Sequence, residues 1–267
     1  PSLQIPIEPL THEAFAPFGH VVANPTKHPG TTANYKSSPG NQGSAIKYSE
    51  VTDLTNFYTL APSKKAAKTS FTLFVSTPRK LRTSAPAYTS AYPRAGQQHF
   101  YDIKILERHP FTSQTFVPLG RANGDNSTQY LVVVAPTLPP STKDGLRPPP
   151  FPEPEPRPRK SILDIFTRAR PSPFTNEAAP PKPSERAKGG LNMPRGSGMP
   201  DLRNMRAFIA NGDQVLTYGP GTWHAPMVVF GKESMDFIVV QYKNDVGLED
   251  CQEVELDAGV EGSGIAV

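Results

Sequence analysis

The sequence has a single cysteine, Cys251, so an intrachain disulfide is excluded. Apolar residues make up only 36% of the chain. No run of them approaches the ~20 residues that a helix needs to cross a bilayer. The first printed residues show no basic region followed by an apolar run, and the last ones do not form a peroxisomal signal. We therefore expect a cytoplasmic protein without a membrane partner, in which the thiol stays reduced.

The chain carries a net charge of +4, with a pI of about 9.1, but the positive charge is concentrated in one segment. Residues 137–200 contain 11 Lys and Arg against 6 Asp and Glu, so the rest of the chain is slightly negative. A basic tract of this kind is typical of a solvated linker or tail. No aromatic residues alternate with these charges, as a groove for single-stranded nucleic acid requires. The charge pattern predicts no nucleic-acid partner.

The prolines are concentrated in the same segment, since 16 of the 32 lie within residues 137–200. Proline cannot donate a backbone hydrogen bond and favours extended, solvated chain. The segment also has too few apolar residues to offset the entropy of ordering it. Within it, residues 161–168 have the capping-box spacing of a short helix. Three apolar side chains share one face of that helix: Ile162, Ile165 and Phe166. We expect a long proline-rich insertion that has no core of its own.

The rest of the chain is a succession of short strand patterns separated by turn residues. Residues 129–135 form a β-branched run, and residues 205–210 end at Asn211-Gly212, a dipeptide that favours a hairpin. Further strand patterns occupy residues 21–22, 70–76, 214–218, 222–230 and 235–242. Near the start, Thr11 is placed to cap a short helix. The pattern predicts an all-β sandwich or barrel with a few short helices, in one domain (residues 1–267) that the insertion interrupts at about 137–200.

Two windows contain the residues best suited to chemistry. In a strand, Glu107 and His109 project from the same face and Arg108 from the other. A carboxylate and an imidazole inside an apolar barrel are costly unless they are paired or bind a metal. In the second window, a Pro-Gly turn precedes Trp223-His224. The spacing of Glu107, His109, Gln114 and Gly120, with Gly221 and His224, resembles a weakened cupin pattern. Two imidazoles, a carboxylate and an amide oxygen are ligands for a divalent ion.

Plainer interpretations of the same residues remain open at this point. Glu107 and His109 could form a buried hydrogen-bonded pair, and His224 could be a core histidine beside Trp223. The remaining histidines are expected at the surface: His12, His20, His28 and His99. Cys251 lies in an acidic stretch without a paired base, so a catalytic thiol is not expected there.

Several motifs in order resemble the ureidoglycolate lyase family. The resemblance covers about 180 residues, which is everything except the insertion and a few loops. Two motifs carry most of the resemblance: Glu107-Arg108-His109-Pro110 followed by residues 114–119, and Arg206-Ala207-Phe208-Ile209 followed by Gly212. Tyr218, Trp223-His224, Asp236-Phe237 and Cys251 match later positions of the family, and residues 10–19 match its opening. Asn41, Gly43 and Tyr48 resemble a further element. Ala225 stands where many bacterial members have a second histidine, and Lys47 stands where the family tends to have arginine. The insertion points to a eukaryotic, fungal form.

The resemblance implies a cupin-like double-stranded β-helix or jelly-roll barrel, a homodimer and an amidine-lyase type of carbon–nitrogen lyase. Such an enzyme splits (S)-ureidoglycolate into glyoxylate and urea in allantoin and purine catabolism. We expect Glu107, His109 and His224 to be catalytic: either one of them, or a divalent metal such as Ni²⁺ or Zn²⁺ that they hold with Gln114, polarises the substrate hydroxyl, without an organic cofactor. Five residues are expected to contact the substrate: Lys47, Arg108, Gln114, Tyr218 and Trp223. Of the two cations among them, Lys47 is the better candidate for the substrate carboxylate, because Arg108 faces away from Glu107.

Two other classes of function fit the residues. The chain could be a non-catalytic cupin that binds a small carboxylic acid, or a metal-dependent cupin isomerase or oxygenase with another substrate. Release of urea and glyoxylate distinguishes the first alternative from a lyase, and oxygen uptake identifies an oxygenase.

Overall fold

The computed structural model describes residues 4–29, 35–84, 98–119, 126–138, 198–256 and 264–266. Within these ranges the chain is built mainly from β-strands, which confirms the all-β prediction. The strands are β1 (Gln4–Ile5), β2 (Ile7–Pro9), β3 (Gly19–Val22), β4 (Lys36–Gly40), β5 (Ala45–Ser49), β6 (Lys68–Ser76), β7 (Arg82–Ser84), β8 (Gln98–Tyr101), β9 (Ile105–Arg108), β10 (Gln114–Leu119), β11 (Thr128–Ala135), β12 (Arg206–Asn211), β13 (Val215–Tyr218), β14 (Trp223–His224), β15 (Val228–Gly231), β16 (Met235–Lys243), β17 (Gln252–Glu255) and β18 (Gly264–Ala266).

Helices are short and few in the described ranges. They are α1 (His12–Phe15), α2 (Gly247–Asp250) and 3-10 turns at Asn41–Gly43, Tyr58–Leu60 and Leu202–Asn204. None of these helices has the length and apolar character needed to span a bilayer. The hydroxyl of Thr11 accepts a hydrogen bond from the Ala14 amide at 3.2 Å, which is the N-terminal cap that the sequence predicts for α1.

The strands form two large sheets and two smaller ones. One large sheet has five strands in the order β3-β13-β10-β16-β6. The other has seven in the order β17-β9-β14-β11-β12-β2, with β15 also paired to β11. A four-stranded sheet, β1-β18-β8-β7, and the hairpin β4-β5 complete the set. The facing five- and seven-stranded sheets form the cupin-like double sheet that the resemblance implies.

The central strand β11 is buried on both faces. Tyr130, Val132 and Val134 pack into the core between the five- and seven-stranded sheets. The alternate residues Leu131 and Val133 pack into a second core that also contains Leu106 and Ile265, from the seven- and four-stranded sheets. The sequence of a strand that is buried on both faces is a continuous hydrophobic run, because neither face is exposed to water. This explains why residues 129–135 lack the alternation of a half-buried strand.

Two local predictions were wrong. The Asn211-Gly212 dipeptide does not join a hairpin, because β12 belongs to the seven-stranded sheet and β13 to the five-stranded one. The turn instead carries the chain across the core from one sheet to the other, closed by a 3.0 Å hydrogen bond from the Gln214 amide to the Asn211 carbonyl. The pattern at residues 222–230 is not one strand either. It divides into β14 and β15, which both pair with β11.

The proline-rich segment connects β11 to β12, which are antiparallel neighbours in the seven-stranded sheet. Residues 139–197, with the helix predicted at 161–168, lie outside the described residues. The two ends of the segment lie side by side, since Thr137 and Pro200 form an isolated antiparallel bridge. The Leu138 amide donates to the Met199 carbonyl at 2.8 Å, and the Asp201 amide to the Pro136 carbonyl at 2.7 Å. A Cβ at Gly198 would lie 2.4 Å from the Leu138 carbonyl oxygen, so this position needs glycine.

Candidate active site

Strand pairing brings the two predicted motifs together. Glu107 of β9 and His224 of β14 are directly opposed in the antiparallel register, so their side chains share one face of the sheet. His109 follows immediately after β9. One ligand atom from each of the three residues lies within 4.8 Å of the others. The Oε1 atom of Glu107 is 3.4 Å from Nε2 of His224, and the two imidazole centroids are 5.6 Å apart.

Backbone carbonyls determine which nitrogen of each imidazole is protonated. Nδ1 of His109 lies 2.6 Å from the Asp250 carbonyl oxygen, and Nδ1 of His224 lies 2.9 Å from that of Thr222. A carbonyl only accepts, so both Nδ1 atoms carry a proton, and in the neutral form of each ring the lone pair is therefore on Nε2. Both Nε2 atoms are buried without a hydrogen-bond partner in the part of the chain that the structure describes. A histidine that ligates a metal is held in the same way.

The charge states of these groups suit a cation. Burial raises the pKa of Glu107, but the contacts with His224 and His109 outweigh this effect and hold it at about 2. Burial lowers the pKa of His109 to about 4, helped by repulsion from His224. Near neutral pH the cluster therefore contains an ionised carboxylate and a neutral His109 imidazole.

Two more predicted site residues lie beside the cluster. Gln114 donates from Nε2 to Oε1 of Gln241 at 2.9 Å, which leaves its own buried Oε1 without a partner among the described residues. Tyr218 stacks on His224 with ring centroids 3.9 Å apart, and its hydroxyl is likewise buried without a partner in the described ranges. Free acceptors around three potential ligands fit a divalent ion held by Glu107, His109 and His224, with the Gln114 oxygen as a further ligand.

A second group of possible ligands shares Glu107. It consists of Glu107, Cys251 and Glu253. Burial, and next the Glu107 carboxylate, raise the pKa of the Cys251 thiol, so the sulfur stays protonated. A protonated thiol is a poor metal ligand and a poor nucleophile. The group with two imidazoles is therefore better suited to hold a metal, and Cys251 is not a catalytic thiol on this geometry.

The cluster opens into a cavity of about 570 Å³, within the range of small-molecule sites. Glu107, His109 and Gln114 form one wall. The other lining residues are Thr72, Phe74, Val75, Ser76, Thr77, Arg79, Phe116, Pro226, Met227, Val239, Gln241, Lys243, Asp250 and Cys251. The strand β6, at the edge of the five-stranded sheet, supplies the residues from Thr72 to Ser76.

Of the five predicted substrate-binding residues, only Gln114 lines the cavity; Tyr218 stacks on His224 next to it, and the other three lie elsewhere. Arg108 and Trp223 lie on the opposite face of their strands, where the guanidinium stacks 4.5 Å from the indole centroid. Both donate to the Gly198 carbonyl at 3.1 Å, and Arg108 also donates to Gln252 at 2.8 Å. Lys47 is exposed on the separate hairpin β4-β5. Arg108 and Trp223 thus stabilise the junction with the proline-rich segment.

The structure also bears on the simpler structural roles that the sequence left open for the histidines and Glu107. Glu107 is not the hydrogen-bond partner of His109, since the Asp250 carbonyl occupies that place. His224 is 1% exposed, but its unpartnered Nε2 makes it more than a packed core residue. The other histidines are not among the residues that line the cavity: His99 is exposed, while His12, His20 and His28 are half-buried. His28 pairs with Asp213 at 2.9 Å.

Sequence reasoning missed three charged residues of the cavity: Arg79, Lys243 and Asp250. The signal for Lys243 was present. Residues 235, 237, 239 and 241 of β16 are buried and alternate with less buried ones, and Lys243 continues this inward row. Asp250 carried no signal, because it acts through its backbone carbonyl on His109.

Comparisons with known proteins agree with this geometry. The family model described as ureidoglycolate lyase matches residues 2–262. The ureidoglycolate lyase of Schizosaccharomyces pombe is 29% identical over 252 residues, which cover 94% of this chain and 91% of the relative. That of Saccharomyces cerevisiae is 28% identical over 258 residues, 94% of each chain. The ureidoglycolate lyase of Burkholderia mallei is 25% identical over 239 residues, 90% of this chain and 82% of the relative.

Proposed function

This chain belongs to the ureidoglycolate lyase family, and on that premise we propose that it cleaves ureidoglycolate into glyoxylate and urea. The observation that supports this most strongly is the cluster of Glu107, His109 and His224, of which Glu107 and His109 line a cavity, with both imidazole Nε2 atoms lacking a hydrogen-bond partner in the described residues. The contact of His224 Nε2 with Glu107 Oε1 leaves His109 Nε2 and Gln114 Oε1 as buried acceptors without a partner among the described residues, which a packed core rarely contains.

The reaction is an elimination from one carbon atom. The bond between that carbon and the ureido nitrogen breaks, and the C–O bond of its hydroxyl becomes the carbonyl of glyoxylate. The hydroxyl proton leaves and the departing urea nitrogen gains one, so atoms and charge balance without an oxidant. An acid and a base, or a cation that acidifies the hydroxyl, are what the reaction requires from the protein.

We propose that Glu107, His109 and His224, with Gln114 Oε1, hold a divalent ion, Ni²⁺ or Zn²⁺. Such an ion polarises the substrate hydroxyl as a Lewis acid. The protein prepares the site by donating both Nδ1 protons to backbone carbonyls, which orients the Nε2 lone pairs towards one point. The same lone pairs could instead accept the hydroxyl proton directly. Full activity in strong chelator, with metal-free protein, identifies that second route.

The test is product analysis on the purified protein, together with its metal content. We expect urea and glyoxylate in equal amounts and no ammonia as a primary product. Ammonia in place of urea would mean hydrolysis of the ureido group and would overturn the lyase assignment. Binding without turnover would favour the non-catalytic cupin, and oxygen uptake would favour an oxygenase.

We further propose that two copies assemble through the outer face of the five-stranded sheet. On β6 this face carries Phe71, Leu73 and Val75, which are 72%, 56% and 66% exposed. The register places Ile238 and Val240 of β16 beside them, so the apolar patch extends across two strands. An isologous interface brings like residues together, and an apolar patch complements itself. Phe71 and Leu73 face away from the alternate β6 residues of the cavity lining, whereas Val75 belongs to both the patch and the lining.

Light scattering coupled to size exclusion tests this assembly. We expect a dimer for the wild type, a monomer for Leu73→Glu, and a dimer for the control Ile46→Glu on hairpin β4-β5, where the side chain is 62% exposed. A monomeric wild type would overturn the assembly proposal. If that monomer self-associated only after removal of residues 139–197, this segment would be what covers the patch in the full chain.

A further inference from the structure

The strand β16 delivers a lysine to the cavity beside the proposed metal cluster. Residues at alternate positions of β16 face inward: Met235, Phe237 and Val239 belong to the core, and Val239 and Gln241 also line the cavity. Lys243 is the next residue in this row and lines the same cavity. Because successive side chains of a strand point to opposite faces, the position of Lys243 follows from the register of the whole strand.

Lys243 is near the cluster as well as in the cavity. Its charge contributes to lowering the pKa of His109 and counteracts the rise in the pKa of Cys251. The second cation of the cavity, Arg79, is exposed, and its backbone amide is held by the Val229 carbonyl at 2.9 Å. Lys243 is therefore the cation positioned to act on a substrate atom next to the cluster.

The ammonium of Lys243 has no counter-ion of its own among the described residues. Besides Glu107, the cavity lining contains one other carboxylate, that of Asp250, which is already satisfied. Its Oδ1 accepts from the Tyr58 hydroxyl at 2.6 Å and the Asn244 amide at 2.8 Å, and its Oδ2 accepts from the Asp245 amide at 2.9 Å. A half-buried ammonium without an ion pair, facing a small-molecule cavity, is a natural binding point for an anion.

We propose that Lys243 binds the carboxylate of the substrate and makes the cavity selective for 2-hydroxy acids over their neutral analogues. The inference rests on the proposed function, which supplies a substrate with one carboxylate next to the hydroxyl-bearing carbon. A carboxylate held by Lys243 places that carbon on the side of Glu107 and His109. The role otherwise expected of Lys47 or Arg108 thus passes to a residue that lines the cavity.

The test compares Lys243→Met with a matched control. Lys68→Met removes the residue paired with Lys243 in the β6–β16 register, which is exposed and outside the cavity lining. We expect Lys243→Met to raise KM for ureidoglycolate by about 10- to 100-fold, the range for loss of a charge-assisted hydrogen bond, with a smaller change in kcat. Lys243→Arg should recover part of the loss, and Lys68→Met should match the wild type.

Binding of glycolate, an unreactive 2-hydroxy acid, is measured in parallel by calorimetry, with the neutral glycolamide for comparison. The wild type should prefer glycolate, and Lys243→Met should lose that preference. Unchanged KM and glycolate affinity in Lys243→Met, or equal losses in Lys68→Met, would overturn the inference. A larger loss in Arg79→Met would assign the carboxylate to Arg79 instead. Because glycolate binding needs no turnover, a wild type that releases no urea would refute the proposed function without deciding the role of Lys243.

Discussion

Replacement of Glu107 by glutamine probes the proposed cluster with the smallest change of shape. The variant keeps the size of the side chain and one acceptor oxygen but removes the charge that lies 3.4 Å from His224 Nε2. Since the pKa of Glu107 is about 2, a full negative charge is lost at neutral pH. We expect turnover to fall by about 10²- to 10⁴-fold, which is a rise of about 3 to 5 kcal/mol in the activation barrier.

The metal content of the same variant decides between the roles of Glu107. Loss of a residue that merely orients a ligand weakens metal binding about 10- to 100-fold. Loss of a ligand should exceed that range, so we expect Glu107→Gln to be purified without a stoichiometric ion. Its circular dichroism spectrum and thermal midpoint should remain close to those of the wild type, because the shape of the wall is kept.

Glu253→Gln is the matched control. Glu253 lies opposite Glu107 in the β9–β17 register and belongs to the alternative ligand group with Cys251. We expect wild-type turnover and metal content in this control. Metal lost from Glu253→Gln or Cys251→Ser would move the metal to that second group. Wild-type turnover and metal content in Glu107→Gln would refute the reasoning.

Three further predictions follow from the structure. His109→Ala and His224→Ala should each lower turnover by about 10²- to 10⁴-fold, whereas the exposed His99→Ala should not; wild-type rates in both variants would remove this wall of the cavity from the mechanism. Replacing residues 139–197 by a short Gly-Ser linker should shift the thermal midpoint by only a few degrees, because Leu138 and Met199 are already hydrogen-bonded neighbours; insoluble protein would show that the segment contributes to the fold. Tyr58→Phe removes the 2.6 Å hydrogen bond to the Asp250 carboxylate, and Asp250 in turn orients His109 through its carbonyl. We expect this variant to weaken metal binding about 10- to 100-fold, with Tyr48→Phe on hairpin β4-β5 as the control. Equal metal affinity in both variants would show that Tyr58 does not act on the site through Asp250.

The pattern of the sequence was sufficient for several of the strands and for the two motifs that contain the cluster. Alternation within β9 placed Glu107 and Arg108 on opposite faces, and the structure has them so: Glu107 faces the cavity and Arg108 the indole of Trp223. Alternation is a local property of the backbone and survives in any sheet. The prediction of a hairpin at Asn211-Gly212 was wrong because strand pairing is not a local property. A turn dipeptide fixes the local bend, but it does not decide whether the next strand pairs with its predecessor or crosses to the facing sheet.

Residues remote in sequence had to be placed by the tertiary structure. Alternation along β16 places Lys243 on the inward face of the strand, but only the pairing of β16 between β10 and β6 brings that face, rather than Lys47, to the cavity. The contact of His109 with the Asp250 carbonyl could not be predicted from residue types, because every residue has a backbone carbonyl. The sequence by itself therefore determined the all-β class, the family and the residue types of the cluster, because these depend on local periodicity and motif order. The tertiary structure alone decided which cation faces the cluster and which imidazole nitrogens are free, because both depend on contacts between strands far apart in the chain.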